Sequence, residues 1–115
     1  MNTQQIPADQ WEPFVARFSR EHADWPATIE VLDEQRGPLR VARDLPLQGI
    51  SFDTKGTRPS SLEISVGDRD GDYIRHVIDL PLNIRQAEEP GGVIDLEIES
   101  ADGPRTLIRV REPAH

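Results

Sequence analysis

The hydrophobic pattern of the chain changes its period near residue 26. Before that point Trp11, Phe14, Val15 and Phe18 follow the i, i+3, i+4, i+7 spacing of one helical face, and His22 extends the face by a turn. Asp9, with Glu12 three residues on, reads as the N-terminal cap, its acidic groups placed at the positive end of the helix dipole. Pro13 falls near the first turn, where a missing N–H does least damage, and Pro26 stops the run. The spacing predicts a helix over about 9–24. Four large apolar side chains on one face mean that this helix docks on something.

From Ala27 onward apolar and polar residues alternate, which is the period of half-buried strands. The predicted strands are about 27–33, 39–53, 61–67, 73–85, 93–100 and 105–111, each bounded by Gly, Pro or Asp. In the fourth, Ile74, His76, Ile78 and Leu80 form the inner side, and the strand is interrupted at Pro81 before continuing through Ile84. Ala101-Asp102-Gly103-Pro104 is a turn, so the last two strands form a hairpin. That hairpin sets Asp95, Glu97 and Glu99 beside Arg105, Arg109 and Arg111, a row that stabilises and fixes register on a solvated face. Asp44-Leu45-Pro46-Leu47 and Asp79-Leu80-Pro81-Leu82 echo one another. A proline in mid-strand belongs at an edge, a bulge or a bend, so the echo predicts two strands bent in the same way. The expected fold is α+β: an N-terminal amphipathic helix on a six-stranded, mostly antiparallel, strongly bent sheet or partly open small barrel.

Composition narrows the function classes. A chain of 115 residues makes one domain, residues 1–115, with one modest core. Its 13 basic and 21 acidic residues sum to −8, which argues against a general binder of nucleic acid or anionic membrane. The segment Met1–Pro7 lacks the basic and apolar regions of a signal peptide, and no apolar run approaches a membrane span. With no cysteine, thiolate and disulfide chemistry are ruled out and a cytoplasmic protein is expected. Lys55 is the one lysine against twelve arginines, a mark of a GC-rich genome that carries little functional information.

Few residues suggest chemistry. Asp68, Asp70 and Asp72 occupy positions 1, 3 and 5 of an EF-hand-type spacing and Asp79 position 12, so hard oxygen ligands for calcium are conceivable there. Tyr73 stands where that loop needs glycine, and strands flank it where helices should, so a hairpin tip is the plainer reading. His76 faces inward by strand parity and is the candidate for a small-molecule site, against the plainer reading of a satisfied core histidine. His22 ends the helix, where a partly charged imidazole is favourable, and His115 is terminal. No serine lies in a nucleophile elbow, and no phosphate-binding glycine loop occurs, so no catalytic activity and no cofactor are expected. Trp11, Trp25 and Tyr73 are the candidate interface anchors, with core burial the plainer role for the two tryptophans.

The residues Trp11-x-x-Phe14-x-x-x-Phe18-Ser19-Arg20-x-His22, Trp25, Thr28-Ile29-Glu30-Val31, Asp44-Leu45-Pro46-Leu47-x-Gly49-Ile50 and Ile98-Glu99-Ser100-Ala101-Asp102-Gly103 resemble a family of small bacterial proteins, a domain of unknown function. The resemblance runs through most of the chain and implies a stand-alone bacterial domain with no functional residues to carry over. More loosely, a helix followed by short bent strands is similar in layout to Sm-like and SH3-like barrels, which serve as binding modules. The chain has one strand beyond the usual five, and its charge sits badly with RNA. The expected function is a non-enzymatic interaction or assembly module acting through self-association or a protein partner; the alternative is a small-molecule or calcium-binding protein.

Overall fold

The computed structural model describes residues 2–55, 58–68, 71, 73–101 and 103–113. The elements run β1 (Asn2–Ile6), a 3-10 turn (Ala8–Gln10), α1 (Trp11–Glu21), β2 (Pro26–Asp33), β3 (Gly37–Lys55), β4 (Arg58–Gly67), β5 (Tyr73–Asp79), β6 (Pro81–Glu89), β7 (Val93–Ser100) and β8 (Arg105–Arg111). The eight strands form one open, antiparallel sheet in the order β1-β6-β7-β8-β2-β3-β4-β5. The α+β class is as expected; the six predicted strands become eight.

Two departures account for the difference. β1 reads Asn-Thr-Gln-Gln-Ile, with Ile6 its one apolar residue, so it carries no alternation to detect. It is a strand because it pairs with β6, from Asn2 opposite Glu88 to Ile6 opposite Ile84. The strand expected over 73–85 is two, because Leu80 adopts a left-handed φ of 50° and the chain turns a corner there. Leu80 is therefore half-exposed and not inward, and Leu82, the extra residue where the β6–β7 register shifts, is exposed with it.

The other half of the echo lies in β3. Nineteen extended residues would reach about 60 Å, beyond the molecule's 41 Å longest dimension, so β3 has to bend. Asp44 provides the bend with φ 50°, and register shifts accompany it on both sides of the corner. The N-terminal half of β3 pairs with β2 and the C-terminal half with β4, so one strand serves both tiers of the sheet. The left-handed residue is the aspartate in one copy of the echo and the leucine in the other.

Both tiers point their apolar residues into a single core. Ile29, Ile84, Leu96, Ile98, Ile108 and Val110 enter from one and Leu47, Leu62, Ile64 and Val66 from the other, all fully buried. Helix α1 adds Trp11, Phe14, Val15 and Phe18, the four residues its period selects. Burying each such side chain contributes about 1.5–3 kcal/mol. The helix does not begin with an Asp9 cap: Asp9 lies within the 3-10 turn, and Gln10 at the cap position makes no side-chain bond. The turn closes instead by the Gln10 N–H donating to the Pro7 carbonyl at 2.8 Å, a backbone solution that needs no carboxylate.

Candidate functional site

The tryptophans lie with the core. Trp11 is buried, donates its indole N–H to the Ile6 carbonyl at 2.9 Å, and stacks on Phe52 with centroids 5.8 Å apart. Trp25 is half-buried, edge-on to His22 at 4.6 Å, and its backbone holds Leu47 of β3. Neither tryptophan is available as a surface anchor in the way Tyr73 is. His22 is buried as well: its backbone N–H and its Nδ1 both meet the Phe18 carbonyl, at 3.0 and 2.8 Å. A carbonyl only accepts, so Nδ1 carries a hydrogen.

Of the aspartates expected around a calcium ion, the two described, Asp68 and Asp79, do not come together. Asp68 follows β4, next to Gly67, which pairs with Tyr73; Asp79 pairs with Ser61 at the opposite end of the β4–β5 ladder. Six residues of strand separate those ends by about 20 Å. Asp79 is thus no twelfth-position ligand, because an EF-hand places that residue on a helix returning to the loop, whereas β5 carries it away. Asp70 and Asp72 lie outside the described residues, as does His115.

The charged row on the hairpin forms without Arg111 and gains a member from β6. Arg109 meets Asp95 through Nε and Nη2 at 2.8 and 3.1 Å, and Arg105 approaches Glu97 at 3.8 Å. Arg85 of β6 reaches Glu97 and Glu99 at 3.6 Å each. Arg111 turns to Asp44 of β3 instead. Beside this row a groove of about 270 Å³ collects Arg40, Arg43, Arg109 and Arg111, but Glu30, Asp44 and Asp95 balance most of that charge.

Among the described residues the sheet ends at β1 and β5, and each half of β3 has a strand neighbour on one side alone. The C-terminal half meets Trp25 and Ser19 there, and the other three edges are not alike. β1 is a short edge with exposed Thr3, Gln4 and Gln5. The N-terminal half of β3 carries Pro38, which has no N–H, the charged Arg40 and Arg43, and a bulge. Short length, proline, charge and bulges are the devices that discourage strand addition. β5 is the third, reading Tyr-Ile-Arg-His-Val-Ile-Asp, without proline, glycine or bulge.

The outer face of β5 presents Tyr73, Arg75, Val77 and Asp79, all exposed. Arg75 forms a bidentate pair with Glu63 of β4, at 2.6 and 3.0 Å, and these hydrogen bonds hold the Glu63 carboxyl below its ordinary value. Asp79 has its backbone carbonyl engaged by the Ser100 hydroxyl at 2.6 Å, which fixes the end of the strand. On the inner face His76 is half-buried between Ile74 and Ile78, and desolvation lowers its pKa from 6.5. It lines a groove of about 190 Å³ between β5 and Val31, Pro104 and Thr106. Among the described residues five large apolar side chains remain exposed: Leu39, Tyr73, Val77, Leu80 and Leu82. Four of the five fall within Tyr73–Leu82, so the exposed apolar surface concentrates on β5 and the corner after it. Sequence parity finds Tyr73 and Val77, whereas Leu80 and Leu82 surface only because the corner turns them out.

A model of a family of unknown function, DUF5335, matches residues 2–115. An "Uncharacterized protein" of Aquifex aeolicus (strain VF5) is 28% identical over 111 residues, covering 96% of this chain and 94% of that one. The crystal structure of the Bacillus subtilis YojF protein superimposes with a TM-score of 0.53 at 12% identity, over 100% of this chain and 98% of that one. The latter is a likeness of fold alone.

Proposed function

The chain belongs to the DUF5335 family of unknown function, so its role has to be argued from its own surface, and we propose that it is a non-enzymatic interaction module that binds a protein strand along β5. The carrying observation is that an edge without proline or bulge coincides with four of the five large apolar side chains exposed among the described residues, Tyr73 and Val77 on β5 itself and Leu80 and Leu82 at the corner after it. Strand addition supplies affinity through main-chain hydrogen bonds and specificity through alternate side chains, and β5 offers both. A small-molecule role for His76 has less support. The groove beside it, about 190 Å³, is below the roughly 300–1,000 Å³ of pockets that enclose ligands.

Photo-crosslinking in bacterial cells tests the reading. A photoreactive benzoylphenylalanine replaces Tyr73 on β5 or, as the control, Arg20 on the exposed face of α1. The expected result is a covalent protein adduct from position 73, absent from position 20 and lost on adding Val77→Pro, which removes an edge N–H. Equal labelling from the two positions, or none from position 73, would overturn the proposal.

A further inference from the structure

We infer that the strand received by β5 is β5 of a second copy, paired antiparallel about a two-fold axis through Val77. The inference rests on the edge reading above and adds the identity of the partner. A two-fold interface must be self-complementary, because each residue meets its counterpart across the axis. Pleating allows only registers that keep outward residues opposite outward residues, which leaves axes through single residues of β5.

Three axes, those through Arg75, His76 and Val77, give five or more paired positions within Tyr73–Asp79. An axis through Arg75 places two guanidinium groups opposite one another. An axis through His76 sets Arg75 opposite Val77 and Tyr73 opposite Asp79, with the two imidazoles face to face. An axis through Val77 sets Arg75 opposite Asp79 of the partner copy, twice by symmetry, and joins the two exposed valines between them. Directly opposed unlike charges and apolar pairs both stabilise cross-strand pairing, whereas opposed like charges oppose it.

The side chains are already disposed for the Val77 register. Val77 is 49% exposed at the middle of the outer face. Arg75 is anchored by Glu63 and therefore held in position, with guanidinium donors to spare for a second carboxylate. Asp79 is exposed; its backbone carbonyl is already taken by the Ser100 hydroxyl, so across the axis it offers its carboxylate and its N–H. The local match matters because two copies of net charge −8 repel at long range, so association depends on opposite charges placed in direct register.

Sedimentation velocity of the full chain across about 5–500 µM tests the inference. The expected result is a monomer–dimer equilibrium for the parent chain and a monomer for Val77→Lys, which puts two like charges on the axis. Arg75→Glu and Asp79→Arg should each raise the dimer dissociation constant about tenfold or more, and the double variant should return it to within about threefold of the parent. Circular dichroism melts establish that each variant is folded. If Arg75→Glu does not fold, for want of its pair with Glu63, Val77→Lys and Asp79→Arg carry the decision alone. A dimer indifferent to both overturns the inference, and so does a parent chain that stays monomeric. A monomer that still gives adducts from position 73 in cells rejects self-pairing and leaves the edge reading standing; a monomer without adducts rejects both.

Discussion

His76 shows how little separates a core residue from a surface one in this protein. Strand parity turns its ring inward, yet β5 is the last strand of the sheet, so the burial is partial. Desolvation disfavours the imidazolium and puts the folded-state pKa below 6.5. Above pH 6.5 both folded and unfolded chains hold a neutral ring, and the stability associated with it is fully present. As pH falls from 6.5 through the lowered folded value, the unfolded chain takes up a proton first and that stability is lost. His76→Gln should therefore flatten the decline in melting temperature between about pH 7 and pH 5. A variant whose melting temperature falls as steeply as the parent's would show that other groups carry the dependence. Trp11 makes the complementary point. Its apolar spacing is visible in the sequence, but its hydrogen bond to Ile6 exists only because β1 pairs with β6 and brings that carbonyl beneath the helix.

Helix α1 packs on strand β3 through the Trp11–Phe52 stack and is hydrogen-bonded to it by the Ser19 hydroxyl. Ser19 donates to the Val15 carbonyl at 2.7 Å, and its oxygen accepts the Ile50 N–H at 2.9 Å. The acceptor role matters because Ile50 lies two residues after Gln48, the extra residue where the β3–β4 register shifts, and its amide turns toward the helix. Ser19→Ala should destabilise the protein by about 1–3 kcal/mol, the cost of leaving a buried donor unmet, as read from urea unfolding. A change within error would mean that water replaces the hydroxyl. The helix was legible in the sequence because its 3.6-residue period is a property of consecutive residues. This clasp was not, since it joins positions 31 residues apart and only one serine among several makes it. β1 was illegible for a related reason: a short polar edge strand is held by its neighbour's backbone, and no pattern in Asn-Thr-Gln-Gln-Ile announces it.

For the molecule as a whole, the open sheet decides which sequence features can act together. The aspartate spacing that suggests calcium is a fact of sequence, but β5 carries Asp79 to the far end of the ladder. Melting temperatures in calcium and in chelator should coincide; a rise in calcium would show that the loop binds the ion without Asp79. Period and turn residues by themselves determined the helix, the inward residues of most strands, the hairpin with its charged row and the two bends. Each of these depends on side chains adjacent in sequence or across a short turn. Tertiary structure alone decided that the described residues form eight strands, that Leu80 turns outward, and that β5 is left as an edge. Those outcomes depend on which strands meet, and strand neighbours are chosen by the closure of one shared core, a global condition that no local window of residues contains.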